Sequence, residues 1–155
     1  MPLLESIVHN LGVVIVGLAA GLVGTGFDRL LGLRNFGSFL VATVSGCLFL
    51  IIGFLIRVWA TFYFYRHAMK VISLSPQRTL ITSGPYRYSR NPLYLGGNVF
   101  IFLGVALLFG SPAAVVMTIL HLPVVDLFIR REERQLEREF GADWLRYRRR
   151  VRRWL

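Results

Sequence analysis

Four stretches of this sequence contain no Asp, Glu, Lys or Arg over roughly the thickness of a membrane. They are Ser6–Phe27, Asn35–Ile56, Leu93–Gly110 and Ser111–Val125. A helix that spans a bilayer needs about 20 mostly apolar residues, with a tolerated range of about 17–25. The fourth stretch is short for this, so we extend its helix from about Pro112 past Ile129. The chain is therefore predicted to have about four spanning helices.

The last two stretches are separated only by Gly110, Ser111 and Pro112, which predict a tight turn between antiparallel helices. Two alternatives to membrane spans are disfavoured. A soluble helical bundle would need a polar face on each helix, whereas Val13–Val23 is apolar on all sides. A cleaved signal peptide would need basic residues ahead of the first stretch, where the chain instead carries Glu5.

These observations predict an all-α fold: a polytopic membrane bundle forming one domain over residues 1–155. Spans are expected at about 6–27, 37–64, 93–109 and 112–130, with a loop over 65–92 and a helical tail over 131–155. The net charge of +10 is concentrated in this loop and in the tail, because the chain from Arg130 onward contains ten arginines. Since Lys and Arg accumulate in cytoplasmic segments, we expect the loop, the tail and both termini in the cytoplasm.

The tail and a row of glycines suggest binding partners. Each arginine near a membrane is attracted to anionic headgroups by about 1 kcal/mol, so we favour membrane lipids over nucleic acid as the partner of the tail. Gly17, Gly21 and Gly24 recur on one side of the first span. Small residues at this spacing let two helix backbones approach closely. This face therefore forms either a homodimer through Gly17 and Gly21 or a contact within the chain.

Several charged residues fall at the edge of a predicted span or inside one. Arg57 lies near the inner boundary of the second span, where it either snorkels to the surface or meets an anionic ligand. Asp126 lies within the fourth span and is a functional candidate for that reason. In one continuous helix Asp126, Arg130 and Glu133 share a face. The plainer interpretation is a structural Asp126–Arg130 ion pair followed by a solvated helix face.

Two motifs lie on the same side of the predicted membrane. The first is Gly-Pro-Tyr-Arg-Tyr-Ser-Arg-Asn-Pro-Leu-Tyr-Leu-Gly over 84–96. The second is Arg-Glu-Glu-Arg-Gln-Leu over 131–136, followed by Phe140, Gly141, Trp144, Tyr147 and Val151–Arg153. Together they closely resemble the isoprenylcysteine carboxyl methyltransferase and phospholipid methyltransferase superfamily. That family typically reads G-P-Y-R-x-x-R-H-P-x-Y-x-G, a helical hairpin, and then E-E-x-x-L-x-x-x-F-G-x-x-Y-x-x-Y. The resemblance covers roughly residues 50–153.

Three positions depart from the family pattern. Asn91 stands where the family usually has His, Trp144 replaces a Tyr, and Arg152 replaces a Pro in the final segment. An Asn side chain offers hydrogen bonds but cannot act as a base. Asn91 is therefore the departure that bears most directly on catalysis.

The resemblance implies that S-adenosylmethionine is the cofactor and that its pocket lies between the entrance of the third span and the exit of the fourth. No metal is expected. The implied cofactor contacts are aromatic faces and hydroxyls from Tyr86, Tyr88 and Tyr94, cations from Arg87 and Arg90, a carboxylate from Glu132 or Glu133, and packing on Pro92, Leu95 and Gly96. Glu133 is preferred over Glu132 because it shares a face with Asp126. The catalytic candidates are Arg90, Asn91, Asp126 and Glu133.

The methyl acceptor is expected to be lipidic. A carboxylate acceptor, such as an isoprenylated cysteine, needs no base, whereas an amine acceptor, such as a phospholipid headgroup, does. Glu133 or Asp126 would be that base. Two other functions stay open. One is an NADPH-dependent membrane reductase on a related helical scaffold. The other is a non-catalytic membrane interaction protein, which Asn91 and the glycine face of the first span both suggest.

Overall fold

The computed structural model describes residues 2–35, 39–67 and 79–155, and these residues contain helices and irregular segments but no β-strand. Five helices follow one another: α1 (Pro2–Leu31), α2 (Phe39–Arg66), α3 (Pro92–Leu108), α4 (Pro112–Phe140) and α5 (Ala142–Arg150). A 3₁₀ turn, Gly84–Arg87, precedes α3, and the middle of α3, Leu95–Ile101, is π-helical. The predicted all-α fold is confirmed.

Three of these helices are long and apolar enough to cross a membrane. Their most apolar windows have a mean hydropathy of 2.0 in α1, 2.3 in α2 and 1.9 in α4. Helix α3 is apolar but shorter, and it corresponds to the predicted span at about 93–109. The prediction of a helical membrane protein is therefore confirmed, while the division of the chain into spans stays a prediction. Residues 68–78 of the predicted 65–92 loop lie outside the described residues.

The predicted turn between α3 and α4 is present. Gly110 has a φ of +58°, a conformation that glycine adopts without strain. The Ser111 hydroxyl then accepts a hydrogen bond from the Ala114 amide at 3.0 Å, which caps the first turn of α4. Asp28, at the end of α1, accepts a second bond from the Ala113 amide at 2.9 Å. Helices α1, α3 and α4 are thus fixed together at this end of the bundle.

Helices α2 and α3 pack backbone to backbone through two pairs of glycines. A Cβ atom added at Gly53 would lie 2.6 Å from the carbonyl oxygen of Gly96, and one added at Gly46 would lie 2.8 Å from that of Gly104. The glycines are seven residues apart in α2 but eight apart in α3. The π-helical segment of α3 begins one residue before Gly96, ends before Gly104 and accommodates about one extra residue in a turn. It therefore keeps both glycine pairs in register.

The glycine face of α1 packs against other helices of the same chain. The sequence left open this contact and a homodimer. A Cβ atom added at Gly21 would lie 2.6 Å from a methyl group of Val105 in α3, and one at Gly24 would lie 2.5 Å from Ala114 in α4. A Cβ atom added at Gly17 would lie 3.2 Å from a methyl group of Ile101 and 3.6 Å from one of Val105. The homodimer through Gly17 and Gly21 stays a prediction, and it would have to displace these contacts.

A cluster of buried polar side chains joins α1, α2 and α3 at the opposite end of the bundle from the α3–α4 turn. Arg57 is 7% exposed, so it does not snorkel to the surface. Its Nε donates to Asn10 Oδ1 at 2.7 Å and its Nη1 donates to the Leu93 carbonyl at 2.8 Å. Asn10 in turn donates to Thr61 Oγ1 at 2.8 Å, and the Ser6 hydroxyl also contacts Thr61. These bonds satisfy Arg57 with neutral acceptors from two other helices.

We expect Gly53→Ala to destabilise the protein by about 1–3 kcal/mol, because the added methyl group overpacks a backbone contact between α2 and α3. Gly12→Ala in α1 is the matched control, since a Cβ atom there meets nothing within 4 Å. Alanine is favoured over glycine inside a helix by about 1 kcal/mol, so the control should be neutral or stabilising. Thermal unfolding of both variants in the same detergent measures the difference, and equal midpoints would refute the close approach at Gly53.

Candidate active site

A cleft lies between the segment that leads into α3 and the segment formed by the end of α4 and by α5. It encloses about 70 Å³ and, together with its open mouth, about 550 Å³ of empty space. Of the predicted site residues, seven line this cleft: Tyr86, Arg90, Asn91, Pro92, Tyr94, Glu132 and Glu133. The two sequence motifs therefore meet around one cavity.

Local backbone geometry turns Tyr86 toward the cleft. Gly84 has a φ of +62°, and it lies directly against the ring of Tyr63, so that no side chain would fit there. Pro85 then begins the 3₁₀ turn. The Tyr147 hydroxyl donates to the Tyr86 carbonyl at 2.8 Å, which ties this turn to α5. The Tyr86 ring is consequently buried against α2, where it packs near Phe64.

Glu133 is the centre of a buried ion cluster. Arg153 donates to both of its carboxylate oxygens, from Nε at 3.2 Å and from Nη2 at 2.7 Å. Arg90 Nη1 lies 3.2 Å from Glu133 Oε1, and the side chains of this pair are 8% and 9% exposed. Arg153 Nη1 also reaches Asp126 Oδ1 at 3.0 Å, and Arg130 pairs with Asp126 at 2.6 Å. The predicted common face of Asp126 and Glu133 is confirmed, and the Asp126–Arg130 ion pair is present.

The pKa values of the ionisable groups around the cleft follow from burial and from this cluster. The hydrogen bond to Glu133 raises the pKa of Arg153, whereas desolvation lowers the pKa of Arg90 despite the nearby Glu133 carboxylate. Burial also raises the pKa of Tyr86 and of Tyr147 above the usual value of a phenol. Both tyrosines are therefore neutral hydrogen-bonding groups at any ordinary pH.

The end of the chain folds back along the loop that precedes α3. The Arg90 amide donates to the Arg152 carbonyl at 2.9 Å, and the Ser89 hydroxyl donates to the Arg153 carbonyl at 3.1 Å. Asn91 Nδ2 reaches the same carbonyl at 3.3 Å. The residue that replaces the family's usual His is thus a hydrogen-bond donor to the tail, and it lines the cleft while doing so.

Some polar atoms in the cleft are buried and unpaired. Among the described residues, no hydrogen-bond partner is present for the Tyr86 hydroxyl, Trp144 Nε1, or Nε and Nη1 of Arg90. The contact of Arg90 Nη1 with Glu133 is thus an ion pair without the alignment of a hydrogen bond. An unsatisfied buried polar group costs about 1–3 kcal/mol. Three such side chains around one cavity indicate a site for a polar ligand.

The two neighbouring glutamates differ in what surrounds them. Glu133 is held by Arg90 and Arg153, whereas Glu132 Oε1 accepts a single bond from the Tyr94 hydroxyl at 2.7 Å. Within the described ranges Glu132 has no ion-pair partner, although it also lines the cleft. Glu132 is therefore the more available carboxylate for a ligand.

Five predicted site residues lie away from the cleft lining. Arg87 and Tyr88 are exposed because they follow Tyr86 on the outer side of the 3₁₀ turn, and Tyr88 lies near Trp59. Leu95 is buried, and Gly96 packs on Gly53 of α2. Asp126 is separated from the cleft by Arg153, through which it contacts Glu133.

Besides its apolar wall, this site has three residues with hydrogen-bonding side chains that were not assigned a role from the sequence. Trp144 and Tyr147 line the cleft from α5, and Arg153 carries the ion cluster. All three belong to the second motif, but its pattern alone does not tell which side chains point inward. A charge argument could have identified Arg153, because two acidic side chains on one partly buried face need more than one cation nearby. In the described parts of the chain, no group of three His, Cys, Asp or Glu side chains could hold a metal ion.

The fold and the cleft define an all-helical membrane protein whose candidate active site joins a Gly-Pro-Tyr-Arg loop to a Glu-Glu helix. The model of the phospholipid methyltransferase family matches residues 41–143, about two thirds of the chain. This chain therefore belongs to the phospholipid methyltransferase family, as the resemblance of the two motifs predicted. No curated protein and no solved structure shows significant similarity to it.

We expect Glu133→Gln to destabilise the protein by about 3 kcal/mol, because breaking a buried ion pair leaves charge without compensation. Glu137→Gln on the same helix is the matched control. Its partner is Arg148, and the side chains of that pair are 48% and 44% exposed. A pair of this kind contributes at most about 1 kcal/mol. Thermal and denaturant unfolding in detergent distinguish the two, and equally small losses would contradict a structural role for Glu133.

Proposed function

We propose that the cleft binds S-adenosylmethionine and that the protein transfers a methyl group from it to a lipidic acceptor. Family membership supports methyl transfer. The observation that carries the choice of cofactor is the set of buried, unpaired polar atoms of Tyr86, Arg90 and Trp144 around one cavity. A ligand with several acceptor atoms would compensate them, and S-adenosylmethionine has a carboxylate, two ribose hydroxyls and adenine nitrogens.

The charges of the cleft fit the amino-acid end of this cofactor. Arg90 has two nitrogens without hydrogen-bond partners among the described residues, and a hydrogen bond from a guanidinium to a carboxylate is strengthened by the opposite charges. Glu132 presents a carboxylate without an arginine, which suits the cofactor's ammonium group or its ribose. The remaining wall is apolar and suits the adenine ring, and it is formed by Phe64, Leu80, Ile81 and Leu136.

We assign Glu133 a positioning role instead of direct contact with the cofactor. Its oxygens already receive two bonds from Arg153 and the ion pair with Arg90. Glu133 therefore fixes where the Arg90 guanidinium lies in the lining of the cleft. Arg90 and Glu132 remain the charged groups that a bound cofactor would contact, with Asn91 beside them.

The chemistry that S-adenosylmethionine supplies is an electrophilic methyl group on a sulfonium. The task of the protein is to align the acceptor and to exclude water, and alignment alone can contribute about 7–11 kcal/mol to such a reaction. A carboxylate acceptor needs only this. An amine acceptor must lose a proton, and Glu132 is placed to receive it because it lines the cleft without an arginine partner in the described residues.

We also propose that the cleft faces the cytoplasm, with both chain termini on that side. The start of α1 lies at the same end of the bundle as the cleft, since Asn10 binds Arg57 and Arg57 binds the Leu93 carbonyl next to the cleft. The arginine-rich tail is at this end too, because Arg153 contacts Glu133. The excess of Lys and Arg in cytoplasmic segments supports this orientation.

The full chain in detergent is expected to bind S-adenosylmethionine saturably in isothermal titration calorimetry, and S-adenosylhomocysteine should compete. NADPH should neither bind nor raise the unfolding temperature. No saturation at millimolar cofactor would contradict the proposal, and protection by NADPH alone would favour a reductase.

Transfer of a radiolabelled methyl group to a farnesylcysteine analogue or to phosphatidylethanolamine would then identify the acceptor class. Binding of the cofactor without transfer to any lipid would contradict the proposed acceptor.

Tyr86→Phe provides a sharper test of the cofactor site. Its hydroxyl has no protein partner among the described residues, so its removal should leave stability unchanged or raise it. Binding of S-adenosylmethionine should weaken by about 0.5–1.5 kcal/mol, the usual net value of one hydrogen bond. Tyr147→Phe is the matched control, because that hydroxyl donates to the Tyr86 carbonyl and its loss should lower stability. If Tyr86→Phe lowers stability and leaves binding intact, the hydroxyl does not serve the ligand.

A further inference from the structure

A second groove lies beside the cleft, on the surface of α5. It has a volume of about 500 Å³, and Tyr147 lines both the groove and the cleft. Three arginines line it: Arg87 from the 3₁₀ turn, and Arg146 and Arg150 from successive turns of α5. None of these three arginines lines the cleft.

The groove carries a surplus of positive charge. Asp143 is the one acidic residue in its lining, and it pairs with Arg146 on the same helix. Within the described ranges, Arg87 and Arg150 have no acidic partner within ion-pair distance. Thr82 adds a hydroxyl to the same lining. Two uncompensated guanidinium groups facing one concave surface make a favourable environment for an anion.

We propose that this groove binds the phosphate of an anionic membrane lipid headgroup. Arginine clusters recognise phosphate oxygens through paired hydrogen bonds, and the hydroxyl of Thr82 supplies a further donor. Helix α5 follows one residue after α4, a helix apolar enough to span the membrane, so the groove belongs to the end of the bundle where the chain leaves it. A headgroup is thus the phosphate source nearest to these arginines.

The proposal gives Arg87 a ligand other than the cofactor. From the sequence, Arg87 and Arg90 were both expected to contact S-adenosylmethionine as cations. The structure separates them, since Arg90 lines the cleft and Arg87 lines the groove. The sequence predicted that the whole basic tail is attracted to membrane lipids. The groove instead assigns lipid binding to one site, which is formed by Arg146 and Arg150 of the tail and by Arg87.

The test compares lipid retention by the full chain in detergent, measured by native mass spectrometry with equimolar phosphatidylglycerol and phosphatidylcholine. The natural sequence should retain phosphatidylglycerol preferentially. The double variant with Arg146→Gln and Arg150→Gln should show this preference reduced roughly tenfold. The matched control is Arg138→Gln with Arg149→Gln, which removes the same charge from exposed positions outside the groove lining and should leave the preference largely intact.

Three results would overturn the proposal: no preference for phosphatidylglycerol, an equal loss in both double variants, or saturable binding of inorganic phosphate without any lipid preference. The second would mean diffuse attraction to the tail, and the third a site for a soluble anion. Binding of S-adenosylmethionine, measured on the same variants, reports separately on the cleft. Failure of the groove and failure of the proposed function are therefore distinguishable.

Discussion

The site depends on one buried carboxylate, that of Glu133, which holds together three parts of the chain that are distant in sequence. Arg90 reaches it from the loop before α3, and Arg153 reaches it from the end of the chain. Removing such charges from water costs several kcal/mol per ion, so the cluster is weak evidence for stability as such. Its effect is geometric, because the loop, α4 and the tail satisfy these charges together only in one arrangement. The same arrangement forms the cleft.

Close packing of glycines between α2 and α3 fixes the position of the loop before α3 along the axis of the bundle. Gly53 lies against Gly96 and Gly46 against Gly104, and the π-helical segment reconciles their unequal spacing. With this register, the Leu93 carbonyl falls within 2.8 Å of Arg57. The start of α3 is thereby fixed to α2, and the residues just before it, which include Arg90, inherit a fixed position. A packing contact inside the membrane thus determines where a charged side chain of the cleft lies.

The apolar stretches and the two motifs were sufficient to predict the helices, the α3–α4 turn and the meeting of the motifs. Side-chain direction was not predictable to the same degree. Arg87 and Tyr88 belong to the motif yet are exposed, because they lie at the end of the 3₁₀ turn and directly after it, beyond the buried Tyr86. Arg57 was expected to snorkel or to meet an anion, and its burial depends on Asn10, a partner in another helix that no local pattern indicates. Such long-range pairings require the packed structure.

Adjacent residues of a helix point about 100° apart, and this separation gives Glu132 and Glu133 different tasks. Glu133 points toward Arg90 and Arg153 and holds these two segments together. Glu132 points toward Tyr94, and its carboxylate has no arginine partner among the described residues. The buried side chains of Tyr86, Arg90 and Trp144 also have polar atoms available for a ligand. These atoms have no hydrogen-bond partner among the described residues. These side chains are organised without a ligand. A ligand that offered acceptors to their polar atoms would gain the hydrogen bonds that folding left unmade, without the entropy cost of ordering the side chains.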